Sequence, residues 1–224
     1  MIGSAVAASL VNGGHDVVCV SRSPGPVENT GIVYRRADRN DPDQILKLVN
    51  TFAIDVIVDV VAYDAVSTEN LLTLLEGEID QYVLLSSCDV YRNYGLLLQL
   101  ETGDLDPHPL GESSPLRSHL FPYRMDRARA PSDRQKWLDD YDKIPVESAV
   151  RERALNWTIL RLPMVFGPGD PQKRFHWAIE PMLSGAETIK APRSWLNWTT
   201  TNGYVKNVAS AIAASVGSSQ FESS

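Results

Sequence analysis

Cysteine is sparse in this chain. Cys19 and Cys88 are the only two in 224 residues, too few for a disulfide framework, and neither stands at metal-ligand spacing. The four histidines, His15, His108, His119 and His176, are scattered with no second ligand close by, so no metal is expected. No apolar run approaches the roughly 18 residues that a membrane span needs. No charged segment precedes the first apolar stretch, as a secretory signal would require. An excess of positive charge is missing as well. Lys plus Arg number 21 against 28 Asp plus Glu, a net charge of −7, which offers no electrostatic reason to expect nucleic acid or an anionic membrane as a partner. No Gly-x-Ser-x-Gly elbow is present, although a triad of Ser87 with a histidine and an aspartate stays open. These absences leave a reduced, cytoplasmic setting as the expectation, in which the sequons Asn156-Trp-Thr158 and Asn197-Trp-Thr199 mean little.

What the chain does have is 43% apolar and 22% charged residues, enough for a sizeable core in a soluble protein. The stretch Gln81-Tyr-Val-Leu-Leu-Ser-Ser-Cys-Asp-Val-Tyr91 stands out. Tyr82 to Leu85 read as a strand buried on both faces that ends abruptly in the hydroxyls of Ser86 and Ser87. In an open parallel sheet, ligands bind outside the carboxyl ends of the strands. Around it, apolar spacing predicts a helix over Ile2 to Val11 and strands at Val17 to Val20, Ile32 to Tyr34 and Val56 to Val61. Helices are predicted after Asp41-Pro42, which suit the N-cap and first helical position, and across Ser67 to Leu75. Tyr91 to Asp133, with five prolines and little periodicity, reads as a long functional or solvated loop in which Arg117, Tyr123 and Arg124 could meet an anionic substrate. A helix from about Tyr141 to Leu155 follows, then a strand at Trp157 to Leu162, a helix at Phe175 to Leu183 and a last helical region at Tyr204 to Val216. The alternation predicts a parallel α/β sheet wound on both faces.

Six segments in this order resemble the extended short-chain dehydrogenase/reductase family, the NAD(P)-dependent sugar epimerases and dehydratases. They are Ile2-Gly3, Asp38-x-x-Asp41, Ser86-Ser87-x-x-Val90-Tyr91, Lys143-x-x-x-Glu147, Arg161-x-x-x-Val165-Phe166-Gly167-Pro168 and Tyr204-Val205-x-Asn207-Val208-Ala209. The resemblance implies a Rossmann-like, doubly wound parallel sheet with helices on both faces, over residues 1–165 and with the long insertion 91–134. Residues 166–224 would form a small, incomplete substrate-binding part. It implies an NAD(P)-dependent oxidoreductase or epimerase/dehydratase acting on a nucleotide sugar or a similar hydroxyl-bearing small molecule, and it leaves a homodimer open. Gly3 would be the third glycine of a pyrophosphate loop, needed for close helix–strand packing. Arg22 stands where an arginine accommodates a 2′-phosphate, so NADP is expected, with NAD the alternative; a solvated loop arginine stays open. Asp38, which could equally be a turn former, Arg39, Val61, Ala62, Leu162 and Pro163 complete the expected cofactor set.

Against the family pattern, Met1 stands where a strand and two glycines are usual, so a truncated sheet lacking its first strand is expected, and the C-terminus looks short too. Family chemistry also uses a tyrosine four residues before its lysine. Lys143 fits the lysine, which would hold the nicotinamide ribose, and Ser87 fits the substrate-holding hydroxyl. The tyrosine position, however, is Asp139, which would pair with Lys143 as an i,i+4 ion pair. Tyr141 is the nearest replacement. Two residues apart on a helix point some 200° from each other. Pro145, though, should place the helix start near Tyr141, where helical geometry need not hold. Tyr141 is therefore read as a displaced acid/base. The alternatives are a non-catalytic NADP-binding sensor or scaffold and an RNA-binding relative, against which the acidic charge weighs.

Overall fold

Aspartates start three of the helices, and for the same reason each time. The first amide protons of a helix have no partner inside it. Asp41 accepts from Gln44 N at 3.1 Å, Asp64 from Ser67 N at 2.8 Å and Asp142 from Ile144 N at 3.0 Å. A computed structural model describes residues 1–23, 31–193 and 199–217. In chain order its elements are α1 (Ile2–Asn12), β1 (Val17–Ser21), β2 (Ile32–Arg36), α2 (Pro42–Phe52), β3 (Val56–Asp59), α3 (Ala65–Leu75) and β4 (Gln81–Ser87). They continue with α4 (Arg92–Leu97), α5 (Lys143–Arg151), β5 (Trp157–Leu162), β6 (Met164–Phe166), α6 (His176–Leu183), β7 (Asn202–Tyr204) and α7 (Val205–Ser215). The loop residues 24–26, the sequon at Asn197 and the tail after Gly217 lie outside the described residues.

The fold is α/β with parallel strands and helices on both faces. Alternate residues of a strand point to opposite sides, and β4 shows what that does. Tyr82 and Leu84 enter a core with Ile45 and Val49 of α2, Leu71, Leu72 and Leu75 of α3 and Val146 and Val150 of α5. Val83 and Leu85 enter the opposite core with Val6, Ala7 and Leu10 of α1 and Val205, Val208, Ala209 and Ile212 of α7. The strand is buried on both faces, as its unbroken apolar run predicts.

Strands pair in parallel as β1–β2, β3–β4–β5 and β6–β7. The continuous sheet that the alternation alone predicts is therefore divided. A cleft of about 1830 Å³ lies between β1 and β3, lined by residues 15–23 on one side and 54–61 on the other. No strand lies between these two edges among the described residues, so Val18 of β1 and Val56, Ile57 and Val58 of β3 remain only half-buried.

Three expectations change. The helix expected over 141–155 runs only from Lys143 to Arg151, because Asp142 caps it and Pro145 sits in its first turn, where no amide proton is required. The long insertion contains α4, whose apolar residues are too few to show a period. The insertion is anchored at a few points, although most of its residues after 101 are exposed. Asn93 exchanges two hydrogen bonds with the main chain of Asp106, and Tyr91 bridges to Leu116. Arg117, read as either a substrate contact or part of a solvated loop, is neither exposed nor free: it is buried and pairs at 2.8 Å with Asp142, both side chains being fully enclosed.

Candidate active site

β4 ends against the entrance to α5, and that meeting builds the site. Ser87 accepts from Asp89 N at 3.2 Å, which turns the chain into a short 3-10 segment, Cys88–Val90, and drives Asp89 inward to 3% exposure. Tyr141 lies two residues before α5, outside its helical geometry. Its hydroxyl donates at 2.8 Å to Oδ2 of Asp89, the same residue whose N–H donates to Ser87 Oγ. Ser87 and Tyr141 are thus both tied to Asp89. Lys143 lies beside them, its Nζ 5.9 Å from the centre of the Tyr141 ring and 5.4 Å from that of Tyr63. That ammonium is turned into the protein, donating to Ala62 O at 2.6 Å and Leu85 O at 2.9 Å.

Burial sets the protonation of this cluster. It pushes the Lys143 ammonium down to about 8, against the opposing pull of Asp59 and Asp89. It raises the Tyr141 phenol far above its ordinary range, and the negative charge of Asp89 adds to the rise. The Asp89 carboxyl is raised by burial too, opposed by the Tyr141 hydrogen bond, Arg117 and Lys143. Asp139 does not pair with Lys143. It closes a separate 3-10 turn, Lys136–Asp139, and so shares no helix face with Lys143. It pairs instead with Lys136 at 2.9 Å and with Arg129, and its carboxyl is held at about 2, chiefly by the Lys136 hydrogen bond.

The cleft between β1 and β3 opens beside this cluster. Gly3, Arg22, Asp38, Arg39 and Val61 line it; Ala62, Leu162, Pro163, Ser87, Tyr141 and Lys143 do not. Arg39 is engaged, giving Nε and Nη2 to Asp59 Oδ2 at 2.8 and 2.6 Å and further bonds to Ser67 and Thr68. Asp38 accepts from Asn40 N at 3.0 Å, so it forms the local turn as well as lining the cleft. Gly3 is a correction. A Cβ there would meet nothing nearer than Val60 Cγ2 at 3.9 Å, so the close helix–strand packing expected of it is not required by the neighbours it has. Two aromatic residues that sequence reasoning passed over form the wall between cleft and cluster. Tyr63 and Trp137 line the cleft, stack with ring centres 4.6 Å apart, and both pack on Tyr141. Tyr63 was reachable from its place just past β3; nothing local marks Trp137. Asp89, also missed, lies inside the Ser-Ser-x-Asp-Val-Tyr motif itself.

Compared with known families, residues 1–220 match the NAD dependent epimerase/dehydratase family. The chain belongs to that family. Among curated proteins it is 24% identical to the chloroplast stem-loop binding protein of 41 kDa b of Arabidopsis thaliana, over 94% of this chain and 51% of the relative, so it spans about half of that protein's length. Among solved structures it resembles a dTDP-glucose 4,6-dehydratase from Bacillus anthracis in complex with NAD, with a TM-score of 0.66, 16% identity, and coverage of 98% of this chain and 69% of that one. The UDP-glucose 4-epimerase of Thermotoga maritima with UDP-glucose gives a TM-score of 0.65 and 17% identity, over 97% and 70%. At these identities the likeness is one of fold.

The family's name implies a dinucleotide, and several residues here fit one. Helix α1 starts beside Gly3 and Ser4 on the cleft wall, and among the described residues no side chain caps it, so an anion there would meet its first amide protons. Arg22 is exposed on the same wall. Lys143 fits less well, since two carbonyls already hold its ammonium.

Proposed function

We propose that this chain is an NAD(P)-dependent oxidoreductase or epimerase/dehydratase acting on a nucleotide sugar or a similar hydroxyl-bearing substrate. The observation that carries the reading is the bonding of both Ser87 and Tyr141 to Asp89 at the carboxyl end of β4, beside a cleft lined by Gly3 and Arg22. Bound nicotinamide would supply the hydride chemistry. Ser87 holds the substrate oxygen and Tyr141 handles its proton. Arg22 favours NADP through a 2′-phosphate, with NAD the alternative. Residues 1–165 serve the dinucleotide and 166–224 the substrate, in a reducing, cytoplasmic setting that suits two free thiols.

A second reading, a non-catalytic NADP-binding sensor, is favoured by the inward-facing ammonium of Lys143. Stem-loop binding, which the Arabidopsis relative's name gives to that protein, is disfavoured for this chain by its net charge of −7. Titrating NADPH and NADH against the chain, with turnover followed on nucleotide sugars, separates these. NADPH is expected to bind more tightly than NADH, with the difference lost in Arg22→Ala. Binding with no turnover selects the sensor. Binding of neither dinucleotide removes both readings.

A further inference from the structure

Five carboxylates are buried among the described residues: Asp59, Asp89, Asp139, Asp142 and Glu147. Four of them have both oxygens engaged. Asp59 takes Val61 N on one oxygen and Arg39 and Tyr82 on the other. Asp142 takes Arg117 and Ile144 N on one and Phe121 N on the other. Glu147 is shared among Ser86, Arg161 and Arg151, and Asp139 among Arg129 and Lys136. Asp89 alone breaks the rule. Its Oδ2 accepts from Tyr141 at 2.8 Å and from Tyr123 at 3.4 Å, while its buried Oδ1 has no donor among the described residues. A buried carboxylate that is only half satisfied is costly for a purely structural role. It is well suited to receiving a proton.

Resting on the oxidoreductase reading above, we propose that Asp89 accepts the phenolic proton of Tyr141, so that Tyr141 and Asp89 together move the proton of the substrate hydroxyl. In the oxidative direction the substrate O–H proton passes to Tyr141 Oη as the phenolic proton passes to Asp89 Oδ2. With a dinucleotide bound, its oxidised nicotinamide would take the carbinol hydrogen as hydride, which would leave the substrate C–O bond a carbonyl. Tyr141 remains neutral throughout, and Asp89 ends as the neutral acid until reduction reverses the transfers. Burial and the Asp89 charge oppose a free phenolate at Tyr141, which makes this transfer preferable to a stored tyrosinate. Lys143, held by Ala62 and Leu85, then contributes a positive charge near Asp89 below about pH 8 without touching the phenol. Asp89 acts through Tyr141 and is a positioning residue. The half-buried Ser87 is the member of the cluster open to substrate.

The charged and titratable groups facing Asp89 are Tyr141, Asp142 and Lys143 at the start of α5, Arg117 and Tyr123 of the insertion, Tyr94 of α4 and its neighbour Cys88. The test combines infrared spectroscopy of the chain alone with the pH profile of alcohol oxidation. A shielded carboxylic-acid stretch is expected to titrate above the ordinary aspartate range, to vanish in Asp89→Asn, and to move to higher pH in Tyr141→Phe, which removes a bond to the charged form. Oxidation should need the carboxylate, so its rate rises with pH through the same midpoint. Asp89→Asn should lower kcat by about 10²–10⁴-fold with KM little changed and erase that acidic limb, and Asp89→Glu should restore part of the rate with the limb displaced. Tyr141→Phe keeps the ring packing and should show the same kcat loss if Asp89→Asn fails to fold. No such band, or turnover whose acidic limb survives in Asp89→Asn, overturns the relay alone. No turnover by the unaltered chain overturns the relay and the oxidoreductase reading together.

Discussion

β4 and β1 are written in similar residues, Gln-Tyr-Val-Leu-Leu-Ser-Ser and Val-Val-Cys-Val-Ser, yet they occupy opposite environments. β4 has β3 on one side and β5 on the other, and its first six residues are all buried. β1 has β2 on one side and the cleft on the other; Val17 alone of its five residues is buried. Apolar sequence therefore sets what a strand can bury, and its neighbours set what it does bury. The functional groups follow the same division. The closed side of the molecule holds Ser87, Asp89, Tyr141 and Lys143 in a packed cluster, and the open side presents Gly3, Arg22 and Asp38 to a cleft.

The comparison is broken most strongly at the strap that closes over the end of β4. Arg117→Met leaves Asp142 buried without its cation and is expected to cost about 3–5 kcal/mol in urea unfolding. A loss below about 1 kcal/mol would mean that the insertion adds little to the closed side. Leu84→Ala, at 0% exposure, should cost about 2–5 kcal/mol, whereas Val20→Ala, at 39% exposure in β1, should stay below about 1 kcal/mol. Equal costs at the two sites would remove the contrast. A smaller, pH-dependent effect isolates Lys143. In the unfolded chain this lysine keeps its proton up to about its ordinary 10.5, and in the folded chain it loses it near 8. Between those values the unfolded state binds more protons, so stability rises with pH across that window and falls back as pH drops toward 8. The Cys88 thiol, pushed up from 9.0 to about 11 by burial, acts in the opposite sense above 9. A rise of at most about 1.4 kcal/mol per pH unit is expected between pH 8 and 9, measured by denaturant midpoint and absent in Lys143→Met.

Much of the scaffold was legible in the residues. Asp41-Pro42 marks the start of α2, and Tyr82 to Leu85 mark a doubly buried strand, because caps and apolar runs report contacts within a few residues. Pro145 located the entry to α5 closely enough to free Tyr141 from helical geometry. The site was legible in part. Ser87 and Tyr141 both bond Asp89, while Asp139 turned to Arg129 and Lys136 because a short 3-10 turn and a helix interrupted the i,i+4 spacing that sequence counting assumes. Arg117 looked like a substrate contact because its partner, Asp142, lies 25 residues away.

By itself, the sequence determined the order and type of β1 to β5 and of the longer helices, their caps and the presence of hydroxyls at the end of β4, since each depends on hydrogen bonds and apolar spacing along a short length of chain; the short α4, β6 and β7 left no such signal. The tertiary structure alone decided which polar groups those elements would share. Tyr141 reaches Asp89 across 52 positions, and Lys143 reaches the carbonyls of Leu85 and Ala62 across 58 and 81. The physical reason is that a buried charge takes whatever donor or acceptor the packed elements bring within about 3 Å, and only the assembled fold says which groups those are.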